Sequence, residues 1–173
     1  GNKGLAAGSS GIVIANSDGA PIIAAANALG SIPADTAVTN SGTERVQVTS
    51  PFYIEDTGTI PNLGIPYFIP NTVNVHQNAI LTLAAGSHFL FTDNTALVIS
   101  YNSGVATLFV EGTAEAPVVF DHILSAGGGI PTAGAYSGLV LALKTPAISK
   151  IGYLEVHHAG SNGKGAIWNN MNT

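Results

Sequence analysis

The sequence predicts an all-β fold in which short strands stack in successive coils, as in a solenoid. The first observation is composition: 9% of the 173 residues are charged and 46% are hydrophobic, with 21 Gly and 9 Pro. Such a chain has too few Lys, Arg, Glu and Gln to cover the outer faces of several helices. Strand-forming Thr, Val, Ile and aromatic residues, with Gly and Pro at turns, fit the composition better. The other two observations are a succession of strand candidates and an internal repeat.

The strand candidates follow one another closely in the second part of the chain. Each is a short apolar or alternating run bounded by residues of turn composition, and this spacing is typical of a sandwich, a barrel or a solenoid. In chain order the candidates are residues 67–69, 72–75, 80–83, 89–92, 97–99, 107–110, 118–120, 139–143, 151–156 and 165–168.

The repeat favours the solenoid. Residues 79–93 and 106–121 both read as strand, Gly-containing turn and strand; Gly86 and Gly112 are 26 positions apart, and Asp93 and Asp121 are 28 apart. A drifting period in the twenties indicates coils that continue a parallel ladder. Hairpins of a sandwich would show two-residue Asn-Gly or Asp-Gly turns, which are almost lacking between these runs.

Alternation along the strands predicts which side chains form the core, because successive side chains of a strand point to opposite faces. We expect Thr82, Thr92 and Thr107 to face outward. The side chains expected to face inward are Leu81, Leu83, Phe89, Phe91, Leu108, Val110, Val118 and Phe120.

The two ends of the chain differ from this pattern. Residues 1–62 are predicted to form an irregular N-terminal cap with short strands and one helix over 21–29, because an Ala-rich stretch follows a Pro there. The coils are predicted over 63–173. No capping element follows the last strand candidate, so we expect the stack to be incomplete. Further chain, a capping partner or self-association would then cover this end.

The order of motifs in the second part also resembles that of a known family. The motifs are 66–69 (PYFI), 73–75 (VNV), 79–87 (AILTLAAGS), 108–120 (LFVEGTAEAPVVF), 136–140 (YSGLV) and 149–160 (SKIGYLEVHHAG). This succession resembles right-handed parallel β-helix proteins of the pectin-lyase-like type, especially their uncharacterised secreted or lipid-anchored bacterial members. The resemblance implies a single-stranded right-handed parallel β-helix over roughly 63–173. One departure is Tyr136-Ser137, where those proteins often have Trp and Gly.

The resemblance does not extend to the catalytic motifs of the enzymatic relatives. Those enzymes act on polyuronates with a calcium-holding carboxylate cluster and a basic residue, or with several Asp, a His and a basic pair. This chain has one Arg, Arg45, which lies outside the predicted coils, and it has no Asp-Asp pair. Similarity of fold therefore does not imply lyase or hydrolase activity here.

Composition excludes several classes of partner. A net charge of −5 with five Lys and Arg residues argues against nucleic acid, which requires a basic surface. No run approaches the roughly 18 apolar residues of a transmembrane helix. The chain lacks Cys, which excludes disulfides and thiolate-ligated metals. A composition poor in Lys and rich in Thr, Asn and Gly favours an exported bacterial protein. Such a protein would be extracellular or lie at the cell surface or outer membrane.

The acid–base candidates are few: Asp121, Glu155 and His157. A structural role is the simpler interpretation for each of them, so no catalytic residue is predicted. Asp121 is followed by His122, but adjacent strand residues point to opposite faces. Glu155 and His157 share a face with Tyr153 through their alternate spacing, and His158 is expected to face the other way. A sugar or metal site on this face would need a further group from the neighbouring coil; the alternative is a structural role for these residues. A metal requires three or four convergent ligands, so neither a metal nor another cofactor is predicted. A calcium site at 55–56 or 93–94 would need oxygens from several coils.

The ligand-binding candidates are aromatic: Tyr136, Tyr153 and Trp168, together with Tyr101. They are predicted either to line a sugar groove or to pack against the coils. The first functional hypothesis is a non-enzymatic surface or envelope module that presents a rigid face to a polysaccharide or another envelope protein. The alternative is a polysaccharide-active enzyme, a lyase or a glycoside hydrolase, with catalytic coils partly outside this chain.

Overall fold

The computed structural model describes residues 4–100, 105–142, 146 and 148–170. These residues are mostly β-structure, with one short α-helix, α1 (Ile123–Ala126), and two 3-10 helices, Ala26–Ser31 and Ser161–Gly163. The strands are β1 (Val13–Ala15), β2 (Ile22–Ala25), β3 (Ala37–Thr39), β4 (Val46–Thr49), β5 (Tyr53–Ile54), β6 (Gly58–Ile60), β7 (Tyr67–Ile69), β8 (Val73–Val75), β9 (Ile80–Leu83), β10 (His88–Phe91), β11 (Ala96–Ile99), β12 (Thr107–Val110), β13 (Val118–His122), β14 (Gly138–Ala142), β15 (Lys150–Ile151), β16 (Leu154–Val156) and β17 (Ile167–Asn170).

The strands form three parallel sheets and one separate pair, β1 with β3. Sheet one has the order β16-β13-β10-β7-β4-β2, sheet two β17-β14-β11-β8-β5 and sheet three β15-β12-β9-β6. From β4 onwards, consecutive strands enter sheets one, two and three in strict rotation. We call one such circuit a coil. The prediction of an all-β chain of parallel strands is confirmed.

The register confirms one half of the predicted repeat and corrects the other. In sheet three, Leu108 pairs with Leu81 and Val110 with Leu83, as the alignment of residues 79 and 106 predicts. In sheet one, Asp121 lies opposite Leu90, not opposite Asp93. The offset between paired residues of sheet one is 22 from β7 to β10, but 31 from β10 to β13 and 36 from β13 to β16. Insertions between strands therefore lengthen the later coils beyond the predicted period.

The core lies between the three sheets and confirms the predicted alternation. The eight side chains expected inside are all buried, and none is more than 4% exposed. Aromatic rings form a column through successive coils. Tyr67 stacks on Phe89 with ring centres 5.2 Å apart, and Phe120 contacts both Phe89 at 5.4 Å and Phe91 at 5.2 Å. Burial of each such ring stabilises the stack by about 1.5–3 kcal/mol before conformational entropy is subtracted.

The sheets extend further towards the N-terminus than the predicted boundary at residue 63. Strands β2 and β4 belong to sheet one, β5 to sheet two and β6 to sheet three. The helix predicted over 21–29 is a strand in its first half, β2, and a 3-10 helix in its second. Pairing of Ile22 with Val46 explains the difference, because tertiary contacts override the helix propensity of an Ala-rich segment.

The single strand predicted over 151–156 is divided between two sheets. Gly152 lies at the corner between β15 and β16, where its amide donates to the Val110 carbonyl at 2.8 Å. A Cβ at Gly152 would lie 2.8 Å from the carbonyl oxygens of both Val110 and Gly112. A side chain would therefore collide with the preceding coil, which makes Gly the residue that permits this corner.

The last described coil leaves part of the core accessible. Ile151 and Ile167 are 37% and 47% exposed, whereas their partners in the preceding coil, Val110 and Leu139, are 3% and 0% exposed. Strands β15, β16 and β17 each lie at the edge of a sheet. The apolar ladders therefore reach solvent at this end of the described stack.

Two buried tyrosines provide a paired test of core packing. The Tyr67 hydroxyl donates to the Pro61 carbonyl at 2.7 Å, whereas the buried Tyr136 hydroxyl has no hydrogen-bond partner among the described residues. We expect Tyr67→Phe to lower the free energy of unfolding by about 1 kcal/mol and Tyr136→Phe to raise it by a similar amount. Urea unfolding of the two variants measures both changes. A loss of stability in Tyr136→Phe comparable to that in Tyr67→Phe would contradict the packing described.

Candidate functional site

The outer face of sheet one carries a row of exposed side chains along its edge strand β16. We define the β16 row as Tyr153, Glu155 and His157. Tyr153 is 60% exposed, and Glu155 Oε2 lies 3.3 Å from His157 Nε2. The intervening residues of β16 pair with Val118 and Phe120, which are buried in the core. The alternation of β16 therefore turns the row towards solvent, as predicted from its spacing.

Asp121 lies beside the row on strand β13. Its Oδ1 atom lies 2.9 Å from His158 Nδ1, and it accepts hydrogen bonds from the His122 amide at 2.7 Å and the Ser125 hydroxyl at 3.0 Å. Burial raises the pKa of Asp121, but the hydrogen bonds from His158, the His122 amide and Ser125 together outweigh it. The pKa of this carboxyl is therefore below its ordinary value.

The position of His158 differs from the sequence prediction. Alternation along β16 predicts that His158 faces away from the row. Its backbone has φ +61°, the left-handed region that non-glycine residues rarely adopt. The chain turns at this residue, which brings the imidazole to Asp121. A second imidazole thus joins the site, next to His157, with the two ring centres 6.3 Å apart.

His122 points to the opposite side of β13 from Asp121, as predicted. It is buried, and its Nε2 lies 3.0 Å from Asp93 Oδ1. Its Nδ1 accepts a hydrogen bond from the Leu124 amide at 3.3 Å and thereby caps α1. With both ring nitrogens engaged, His122 holds the start of α1 in place and is not available to a ligand.

His88 is a member of this face that the sequence analysis missed. It lies on β10 opposite Val119, which in turn lies opposite Glu155. Burial lowers the pKa of His88, the charge of Asp121 opposes this effect, and His157 adds to it. The alternation of His88 with the inward Phe89 was the available signal for its outward position.

The depressed pKa of His88 predicts a dependence of stability on pH. Below the ordinary histidine pKa of about 6.5 the unfolded chain takes up a proton that folded His88 resists. The free energy of unfolding should therefore fall as the pH decreases through this value. It should fall again below about 3.8, the ordinary pKa of Asp121, because that carboxyl also binds a proton less readily in the folded chain than in the unfolded chain. Urea unfolding at a series of pH values measures the slope. We expect His88→Leu to flatten the first decrease, and an unchanged slope in that variant would contradict the assignment.

The other two aromatic candidates do not join Tyr153. Tyr136 is buried and stacks on Phe91 with ring centres 5.0 Å apart, so its prediction as a ligand-binding residue is wrong. It pairs with Ala159 in a parallel bridge, which places it inside the stack. Trp168 lies on sheet two, half-buried against Val98 and Val140, and its ring is covered by Lys164 Nζ at 4.0 Å. Tyr101 lies outside the described residues.

A cavity of about 260 Å³ lies at the other end of the stack. Its walls include Asn27, Ile54, Asp56 and Ile60. The side-chain Oδ1 atom of Asn27 accepts a hydrogen bond from the Glu55 backbone amide at 3.1 Å. Of the predicted sites within the described residues, the 55–56 pair touches this cavity, through Asp56.

Comparison with known proteins gives no family for this chain. No family model matches it, and neither a curated protein nor a solved structure is significantly similar to it. Among the described residues, no group of three or more His, Asp or Glu side chains is arranged to hold a metal ion. The absence of a cofactor stays a prediction, and no observation tests the calcium alternative at 55–56 or 93–94, which the sequence does not support. None of the helices in the described ranges is long and apolar enough to cross a membrane.

Proposed function

We propose that the chain forms coils of a right-handed parallel β-helix and serves as a non-enzymatic, exported bacterial surface or envelope module. The strict rotation of β4 to β17 through three parallel sheets supports the β-helix. The Cys-free composition with few Lys is the sequence feature that favours export. The module presents the outer face of sheet one, on which the β16 row is the binding site.

A carbohydrate is the ligand that the β16 row suits best. The exposed Tyr153 ring can stack on the apolar face of a sugar. The Glu155 carboxylate, two positions along the strand, accepts hydrogen bonds from sugar hydroxyls, and the His157 ring adds a second polar group. The observation that carries the proposal is the alternate spacing of an exposed aromatic ring, a carboxylate and an imidazole over residues 153–157, along and directly beside the edge strand β16.

A glycan array tests the proposal. We expect the protein to bind at least one class of glycan, and we expect Tyr153→Ala to weaken that binding roughly tenfold, as the loss of one stacked ring implies. Ile130→Ala is the matched control, because Ile130 is 92% exposed and lies outside the row. Absence of binding to every glycan, or equal binding by Tyr153→Ala and the natural protein, would contradict the proposal.

The second candidate function is a polysaccharide-active enzyme with catalytic coils partly outside this chain. The observation that favours it is the contact of Asp121 with His158, because a carboxylate that orients an imidazole is typical of general acid–base catalysts. Glu155 and His157 would supply the second acid–base pair.

A reducing-sugar assay and an assay for unsaturated products, both on neutral and uronate polysaccharides, decide between the two functions. The binding module predicts no turnover. Turnover that is lost in Asp121→Asn or Glu155→Gln would contradict it and support the enzyme. Turnover that survives both substitutions would exclude these residues from catalysis.

A further inference from the structure

We propose that the cavity at the N-terminal end of the stack binds a small uncharged ligand rich in hydroxyl groups, of the size of one sugar ring. This site is separate from the β16 row, and the inference does not rest on the proposed function. Three features of the cavity carry it: a buried amide donor without a hydrogen-bond partner, apolar side chains beside that donor, and a single carboxylate as the charge among the described lining residues.

The unpartnered donor belongs to Asn27, which lines the cavity and is 9% exposed. Its Oδ1 atom accepts a hydrogen bond from the Glu55 amide at 3.1 Å. Because a backbone amide only donates, this contact identifies which atom of the Asn27 side chain is the oxygen. The Nδ2 atom is then the free donor, and it is buried without a partner among the described residues. A buried donor without a partner is unfavourable, so a ligand oxygen that accepts from Nδ2 would be stabilising.

The cavity is small and partly apolar. Ile54, Ile60 and Leu81 line it, and all three are buried. Its volume of about 260 Å³ lies below the roughly 300–1,000 Å³ that is usual for drug-sized ligands. A ligand that fits must therefore be compact and must turn C–H groups towards these side chains, as one face of a pyranose ring does.

The charge of the cavity disfavours anions. Asp56 is exposed and is the one charged side chain among the described residues that line the cavity. Its carboxylate can accept hydrogen bonds from hydroxyl groups, whereas it repels an acidic ligand. A hydroxyl group both donates and accepts, so one kind of ligand group suits Asn27 as well as Asp56. A neutral sugar combines such hydroxyls with an apolar ring face.

Hydrogen bonds to one side chain tie a wall of the cavity to the fold. This wall is the segment 4–7, in which the Leu5 amide donates to Ser31 Oγ at 2.9 Å. The Ser31 hydroxyl donates in turn to the Ala28 carbonyl at 2.7 Å, within the 3-10 helix. A wall that is already in place reduces the ordering cost of binding.

Nuclear magnetic resonance of the ¹⁵N-labelled protein tests the inference. The neutral probes are the methyl glycosides of glucose and galactose, and glucuronate and galacturonate are their acidic counterparts. We expect at least one neutral probe to shift the side-chain amide signals of Asn27 and the backbone signals of residues 26–31 and 54–58, with a Kd on the order of 1 mM, as for a very small ligand. The acidic counterpart should bind roughly tenfold more weakly, because Asp56 repels it.

Substitutions on the cavity wall locate the probe. Asn27→Asp keeps an oxygen for the Glu55 amide but removes the free donor, and should weaken binding of the neutral probe roughly tenfold. Asp56→Asn should narrow the difference between neutral and acidic probes. Ala7→Leu fills part of the cavity from an exposed position, so it should weaken binding even if Asn27→Asp fails to fold. Ala6→Leu is the matched control, since Ala6 is exposed next to Ala7 but does not line the cavity, and its binding should equal that of the natural protein.

The outcomes are distinct. Shifts at residues 153–158 alone would overturn the inference and support sugar binding at the β16 row. No shift with either neutral probe would overturn the inference and leave the β16 row to the glycan array. Equal affinity for neutral and acidic probes would overturn the selection of uncharged ligands. Binding that is unchanged in both Asn27→Asp and Ala7→Leu would place the probe outside the cavity.

Discussion

We expect Phe120→Ala to lower the free energy of unfolding by about 3–5 kcal/mol, the range for truncation of a buried Phe. Phe120 is completely buried, and its ring contacts Phe89 and Phe91 of the preceding coil. Its loss would leave a cavity between coils that the rigid ladders on either side cannot close. Urea or thermal unfolding followed by circular dichroism measures the change.

Val119→Ala is the matched control for Phe120→Ala. Val119 is the preceding residue of the same strand, points outward and is half-buried, so its truncation should cost about 1 kcal/mol or less. Equal losses in the two variants would mean that β13 does not present Phe120 to the core, and the alternation on which the fold rests would be wrong.

The second large effect is expected for Gly112→Ala. Gly112 follows β12 at a coil corner, where a Cβ would lie 2.0 Å from the Tyr153 carbonyl oxygen and 2.9 Å from the Val118 amide. Both are backbone atoms, so relief requires the two coils to move apart and weakens the contacts near Tyr153. We expect a loss of about 3 kcal/mol, at the upper end for an overpacked site.

Gly127→Ala is the control, since Gly127 has φ −89° and the added Cβ would meet only the Leu124 carbonyl oxygen at 3.7 Å. Its stability should be unchanged or slightly higher, because Ala has less conformational freedom than Gly in the unfolded chain. A Gly112→Ala variant as stable as Gly127→Ala would contradict the close approach of successive coils at this corner.

The features of the fold that the sequence predicts correctly are those that depend on short stretches of chain. Alternation alone identified Leu81, Leu108 and Phe120 as core residues, because each lies in a strand whose two faces differ in polarity. The repeat found the pairing of Leu108 with Leu81 because no large insertion interrupts that part of the two coils. The N-terminal strands were missed as coils because they are very short, and because Pro51 and Pro61 interrupt the pattern around them.

The candidate site was predictable only in part, because alternation shows which residues of one strand share a face but not how the chain turns beyond that strand. The β16 row depends on alternate spacing within one strand, which the sequence shows. The contact of Asp121 with His158 depends on the left-handed backbone of His158. No pattern in the sequence indicates this conformation at a non-glycine residue. Tyr136 was misassigned because it lies among Gly and Pro residues of turn composition, although a bridge to Ala159 places it in the core. Neither the left-handed backbone of His158 nor the burial of Tyr136 follows from residue type alone.

The central claim, that sheet one binds sugar at its β16 edge, is tested most directly by nuclear magnetic resonance. The backbone amide signals of ¹⁵N-labelled protein would be followed during titration with a glycan that binds on the array. The account predicts shifts concentrated at residues 153–158 and at Asp121, with the signals of β5 and β8 on sheet two unchanged. Shifts confined to sheet two or sheet three, or no shifts at saturating glycan, would contradict it.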